Sequence, residues 1–144
     1  GLGDVYKRQG SNPYDISGGE LQRAAIAKLL LPEPEVIFLD EATKGMDAFF
    51  KAEFGALLRR LAARGTAIVL VSHDIEFCAE FADRCAMFFN GTVIAEGTPH
   101  EVFLGNSFYT TSACRISRGI IPDALTSEQV IDYANRCERK KNDD

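Results

Sequence analysis

Apolar side chains along this chain either recur every third or fourth position or form short continuous runs, and polar or glycine-containing stretches separate the two kinds of segment. Over residues 20–31, alanines and leucines recur at helical spacing until "PEP" at 32–34 stops the pattern, which predicts a helix. "VIFLD" at 36–40 is apolar and largely β-branched or bulky up to its acid, which predicts a strand covered on both faces inside a sheet. Asp47 is placed to cap the next helix. There Phe50, Phe54, Leu57, Leu58 and Leu61 follow the spacing i, i+4, i+7, i+8, i+11, and Gly65 supplies the exit. "TAIVLVS" at 66–72 reads as a second strand and residues 75–82 as a short helix. "CAMFFNGTVIAEG" predicts two short antiparallel strands about Asn90 and Gly91, a strong tight-turn pair. Residues 104–122 have weak patterning. Residues 126–137 predict a helix capped by Thr126 or Ser127, and "ERKKNDD" reads as a frayed, hydrated end. No internal repeat and no low-complexity tract interrupts this order.

Strand, helix, strand, helix is the order of a parallel βαβ sheet, in which ligands gather beyond the carboxyl ends of the strands. Asp40, Glu41 and His73 all fall there. Composition narrows the picture further. A chain of 144 residues, 46% hydrophobic, can bury one core of ordinary size. Sixteen basic against 21 acidic side chains leave a formal charge of −5, and no basic stripe is interleaved with aromatics, so no nucleic-acid partner is expected. Cys78, Cys85, Cys114 and Cys137 show no paired spacing of the C-x-x-C kind, which fits reduced cytosolic thiols rather than a zinc site or a disulfide framework. No apolar run approaches the roughly 18 residues of a membrane span, so contact with a membrane is expected through a partner.

Two acids directly after a buried strand are costly to place unless a cation or a positioned water compensates them. In a phosphoryl-transfer site Asp40 would hold Mg²⁺ through its hydration shell, and Glu41 would orient or deprotonate the attacking water. Taken alone, an Asp-Glu pair at a strand end more often caps a turn. His73 follows the neighbouring strand and can donate a hydrogen bond to a terminal phosphate in the same crevice. Asp47 has two compatible roles, helix cap and site residue. Ser17, Gly18 and Gly19 can present a hydroxyl and unhindered backbone N–H groups at the positive end of a helix, a ready anion site, although "SGG" by itself is as well explained by a plain loop.

In this order and at these separations, "ISGGELQR", "VIFLDEATKGMD" and "LVSHD" resemble the latter half of the nucleotide-binding domain of ATP-binding cassette (ABC) ATPases. The resemblance covers roughly residues 14–103. It implies an α/β fold, the C-terminal part of a P-loop NTPase domain of the ABC type, with a parallel βαβ core, the end of the helical subdomain, a terminal β-hairpin and C-terminal helices. It also implies that residues 17–20, Ser17, Gly18, Gly19 and Glu20, lie in the signature motif and that "VIFLDE" is the Walker B strand with Asp40 and the catalytic Glu41. Asp47 would close the D-loop and His73 would be the switch histidine. Implied ligands are ATP and Mg²⁺. Implied partners are a second ABC ATPase domain, whose ATP the signature loop would contact, and transmembrane transporter subunits at the cytoplasmic face of the cell membrane.

The chain departs from the family pattern at Ile16 and Glu20 in the signature, at Ala42 where the family has proline, and at Met46 where it has leucine. Ile16 and Met46 keep an apolar side chain, whereas Glu20 brings charge near a phosphate unless it faces away along its helix. A Gly-rich loop ending in Lys and Ser/Thr occurs nowhere, nor does the glutamine-bearing loop expected after it; in the family both precede the signature. Residues 1–9 are expected to be non-native. "DVYKRQ" is encoded by GAT GTG TAT AAG AGA CAG, which is similar to a transposon-end sequencing adapter, so translated adapter would be joined to a truncated gene. The alternative is an ordinary polar tail with Lys7 and Arg8 solvated. The expected organisation is therefore 1–9 adapter, 10–103 partial ATPase domain and 104–144 a C-terminal extension.

More narrowly, "DEATKGMDAFFK", "VSHDIEFCAEFADRCAMFFNG" and "EGTPHEVFLGNSFYTT" look like ATPase subunits of energy-coupling-factor transporters, which import vitamins and metal ions, and especially like the second half of forms with two fused ATPase domains. Two other classes stay open: a non-transport ABC ATPase, and an inert fragment without activity of its own. Translation-type relatives carry Asn-His where this chain has Lys44-Gly45, and chromosome-type relatives need long heptad arms that are missing here.

Overall fold

A computed structural model describes residues 18–106 and 108–142. Its first element, α1 (Gly18–Leu30), begins two residues earlier than the spacing predicts, so both glycines occupy its first turn. The chain then enters β1 (Val36–Asp40), which pairs in parallel with β2 (Ala67–Val71) from Val36 opposite Ala67 to Asp40 opposite Val71. Between them runs α2 (Ala48–Ala63). Its N-cap is Asp47, as expected, with the carboxylate accepting from the Phe50 N–H at 2.7 Å. Gly65, at φ +98°, turns the chain back toward β2.

The alternation in β1 decides which face is covered. Ile37 and Leu39 are buried against α2, but Val36 and Phe38 point the other way and Phe38 is 74% exposed. Coverage on both faces is thus not what the described residues show. A continuous apolar run served one packed face and one bare face, because the helices that follow β1 and β2 lie on a single side. The packed side gathers Ile37, Leu39, Met46, Phe54, Leu58 and Phe77, with Ile26 and Leu30 of α1 at its margin. Burial of each such large side chain stabilises the fold by roughly 1.5–3 kcal/mol.

Helix α3 (Ile75–Phe81) joins this core to a second one. Phe77 stacks on Phe54 with ring centroids 6.0 Å apart and lies 4.9 Å from Phe81. Gly55 lets Phe81 come this close to α2, since a Cβ there would sit 2.5 Å from the Phe81 ring. From the other side of α3, Ile75, Cys78 and Ala79 pack against Val102, Phe103, Cys114 and Leu125. The hairpin β3 (Cys85–Phe89) and β4 (Thr92–Gly97) is antiparallel as predicted, with a bulge between Met87 and Phe88 and left-handed backbone at Asn90 and Gly91.

Two short helices were not apparent in the pattern. Helix α4 (Pro99–Leu104) has a full capping box between Thr98 and Glu101 and proline at its start. Helix α5 (Ser112–Ser117) is capped by the buried Thr111, whose hydroxyl accepts from the Cys114 N–H at 3.1 Å. The second core takes Val102 and Phe103 from one side of residue 104 and Cys114 and Leu125 from the other. Helix α6 (Ser127–Asn142) continues into the stretch read as a frayed end, whose last two residues lie outside the described ones. Thr126 is its cap: the Gln129 backbone N–H reaches the Thr126 hydroxyl, and the Gln129 side-chain Oε1 accepts from the Leu125 and Thr126 N–H groups.

Candidate functional site

The site begins where the parallel ladder ends. Asp40 is the last residue of β1, opposite Val71, and its side chain is exposed. One residue on, the Glu41 N–H donates to the Val71 carbonyl at 2.8 Å, so the ladder persists while the chain turns away with Glu41 at φ +49°. A non-glycine residue in this left-handed region costs on the order of 1–3 kcal/mol and persists only where its surroundings over-determine it. Here they do. Lys44 N–H donates to the Glu41 carbonyl at 3.0 Å, Met46 N–H to the Thr43 carbonyl at 3.2 Å, and the Met46 side chain is anchored in the core.

The turn aims the Glu41 carboxylate across to the neighbouring strand end. Its Oε1 is sealed from solvent and has no hydrogen-bond partner among the described residues. His73 Nε2 stands 3.6 Å from that oxygen, on an imidazole that is otherwise 96% exposed. A buried carboxylate oxygen without a hydrogen bond is costly to keep, and the His73 imidazole is the polar group that faces it. A carboxylate and an imidazole so placed can share the handling of one proton, or hold a water against an incoming electrophile.

Of the residues singled out in the sequence, Asp40, Glu41 and His73 are thus gathered on one rim. Asp47 sits at the start of α2, beyond the turn at 42–46. Gly18, Gly19 and Glu20 form the first turn of α1, a separate element, where backbone N–H groups lack intrahelical partners. Ser17 and Ile16 lie outside the described residues, as do residues 1–9.

Four further residues join the two loops, and sequence reasoning did not single them out. Ser72 Oγ accepts from the Asp74 N–H at 3.0 Å and shares a hydrogen bond of 3.3 Å with the buried Thr43 Oγ1. Asp74 caps α3 through the Phe77 N–H at 3.0 Å, and its other oxygen is ion-paired with Lys51 of α2. A cap at Asp74 was legible from its place ahead of an apolar helix. The partner Lys51, 23 residues away, was not.

Among the described residues no group of three His, Cys, Asp or Glu side chains forms a cage for a metal ion. Mg²⁺ in nucleotide sites takes one or two carboxylates, with phosphate oxygens and waters completing the shell, and the exposed Asp40 at the strand end is a carboxylate of that kind. A separate groove of about 360 Å³ lies between α1 and α2, lined by Ile26, Leu30, Phe50, Phe54, Glu53 and Arg60. Its walls are mostly apolar and it lacks the convergent acids and imidazole of the rim.

Known proteins share this chain's sequence and fold over most of its length. The ABC transporter family profile matches residues 1–44, a stretch that includes Asp40 and Glu41. A putative ABC transporter ATP-binding protein of Bacillus cereus is 47% identical over 126 residues, covering 88% of this chain and 23% of that protein. The energy-coupling factor transporter ATP-binding protein EcfA2 of Latilactobacillus sakei is 38% identical over 101 residues, covering 69% of this chain and 35% of that protein. The chain therefore spans about a quarter to a third of the length of these relatives. Among solved structures, the dimeric bacterial ABC transporter cassette MJ0796 superposes with a TM-score of 0.57 at 32% identity, over 61% of this chain and 38% of that one. The same cassette in a post-hydrolysis state bound to ADP and Pi gives 0.57 at 31%, again over 61% of this chain and 38% of that one. Profile, relatives and α/β architecture coincide, and the chain belongs to the family of ABC transporter ATP-binding proteins.

Proposed function

We propose that this chain is part of a subunit that binds and hydrolyses ATP to drive an importer of the energy-coupling-factor kind, carrying a vitamin or a metal ion. The observation that carries the reading is the solvent-sealed Glu41 Oε1 lying 3.6 Å from His73 Nε2 where two parallel strands end, with Asp40 beside them. Glu41 orients or deprotonates the water that attacks the terminal phosphate. His73 donates a hydrogen bond to that phosphate. Asp40 would hold Mg²⁺, which would supply neutralisation of the charge that builds on the phosphoryl oxygens. Ser17, Gly18, Gly19 and Glu20 form the signature turn facing the nucleotide of a second ATPase domain, and Asp47 closes the D-loop. The dimeric form of the MJ0796 cassette supports a paired arrangement.

On this reading residues 10–103 are a partial cassette without its phosphate loop, 104–144 a C-terminal extension, and 1–9 derive from adapter sequence. The assembly sits at the cytoplasmic face of the membrane and acts through transmembrane subunits. Among the described residues no helix is long and apolar enough to cross a membrane. The test uses the full-length protein that carries this sequence. Glu41→Gln should bind ATP as the wild type does, while its hydrolysis falls on the order of 10²–10⁴-fold, the usual contribution of a positioned general base. Undiminished turnover would remove Glu41 from this role.

A further inference from the structure

His73 is held in an unusual manner. Its imidazole is almost fully in solvent and touches Glu41 alone among the described ion pairs, yet the residues on either side of it are both tied down. On one side Ser72 bonds to Thr43, which is only 3% exposed and lies two residues after Glu41. On the other, Asp74 caps α3 with one carboxylate oxygen and meets Lys51 with the other, at 19% side-chain exposure. The exposed ring therefore rides on a backbone segment fixed at two points. One point belongs to the Glu41 turn and the other to helix α2, which starts at Asp47.

These two ties differ in strength. The hydroxyl pair at 3.3 Å is neutral and long for its type, whereas the Lys51 pair is charge-assisted and mostly withdrawn from water, with side-chain exposures of 35% and 19%. The Lys51 tie is therefore the stronger of the two. It also acts directly on the residue next to His73, and it runs from one turn into α2, the helix whose first residues Asp47 sets.

We infer that Lys51 is a positioning residue, whose ion pair with Asp74 locks the His73 segment to helix α2 and so keeps His73 Nε2 at its station beside Glu41. This rests on the reading of Glu41 and His73 as the residues that act on the terminal phosphate. Lys51 itself touches neither of them and contributes through Asp74. A consequence is that any displacement of the Asp47 end of α2 reaches His73 through this bridge, whereas Glu41 is held separately by the β2 ladder and the Met46 anchor.

The experiment measures steady-state ATP hydrolysis by the full-length protein as wild type, Lys51→Met and Lys51→Arg, with thermal melting of each. Misplacing a reacting group by about 1 Å can cost on the order of 10²-fold in rate. Lys51→Met should lower kcat by roughly 10-fold or more with the KM for ATP within about 2-fold of wild type. Lys51→Arg, which keeps the charge and can reach the same carboxylate, should restore most of kcat. A Lys51→Met protein with wild-type kcat overturns the inference. So does an equal loss in both variants, or a loss confined to melting temperature, since either marks Lys51 as a packing residue only. If the wild-type protein itself fails to hydrolyse ATP, the ATPase reading falls, an outcome distinct from any of these.

Discussion

Burial pushes the Cys78 thiol up to about 11, with nearby Cys85, Asp74 and Glu41 adding to the cost of a negative sulfur, and burial also raises Cys85. At neutral pH the thiolate fraction at Cys78 is then on the order of one in ten thousand, and only the thiolate attacks an alkylating reagent. Cys114 is buried, and Cys137 alone among the four is exposed, on α6. Iodoacetamide under native conditions should therefore modify Cys137 first, with Cys78, Cys85 and Cys114 lagging until the chain unfolds; peptide mass spectrometry over a time course reads this order. Simultaneous labelling of Cys78 and Cys137 would contradict the packing of α3. The same scale explains what was legible in the sequence and what was not. Asp40, Glu41 and His73 could be placed because each lies within two residues of the end of an apolar run, which fixes where the strand stops. Lys51 could not, because its meaning depends on Asp74, which only the packing of α2 beside α3 brings within reach.

At the scale of elements, local chemistry outweighed periodicity. Helices α4 and α5 are six residues each, too short for an apolar stripe to repeat, and what marks them is their caps: Thr98 with Glu101, and Thr111. Helix α6 extends to Asn142 through a stretch with no apolar signal because Glu, Arg and Lys are good helix formers and need no core to continue a capped helix. The α4 cap carries its own pH signature. Hydrogen bonds from the Thr98 N–H and hydroxyl hold the Glu101 carboxyl below the usual carboxylate range. A group whose folded value is depressed stabilises above its unfolded value and loses that contribution as pH falls through the folded one. Acidification should therefore erode the α4 cap from the ordinary glutamate range downward, with the loss complete only below the depressed folded value. Carbon-detected NMR titration of Glu101 measures the depressed midpoint, and Glu101→Ala should abolish the accompanying shift of the Thr98 amide; a midpoint at or above the ordinary value would refute the capping box.

For the molecule as a whole, Asp40, Glu41 and His73 all come from one βαβ unit of this chain. The chain cannot supply a lysine-bearing phosphate loop, which its sequence lacks. The isolated 144-residue chain should accordingly show no ATP hydrolysis above buffer in a phosphate-release assay, and robust turnover by this chain alone would require a different nucleotide site. Architecture at this scale was legible as strand, helix, strand, helix. The side of the sheet that stays open was not, since "VIFLD" has the same letters whether one face or two are packed. That open side has a practical outcome. Among the described residues, Val36, Phe38, Val69 and Val71 present a greasy plane on a two-stranded ladder, so the purified chain should be sticky, and its colloidal behaviour rather than its chemistry should limit how concentrated a sample can be made.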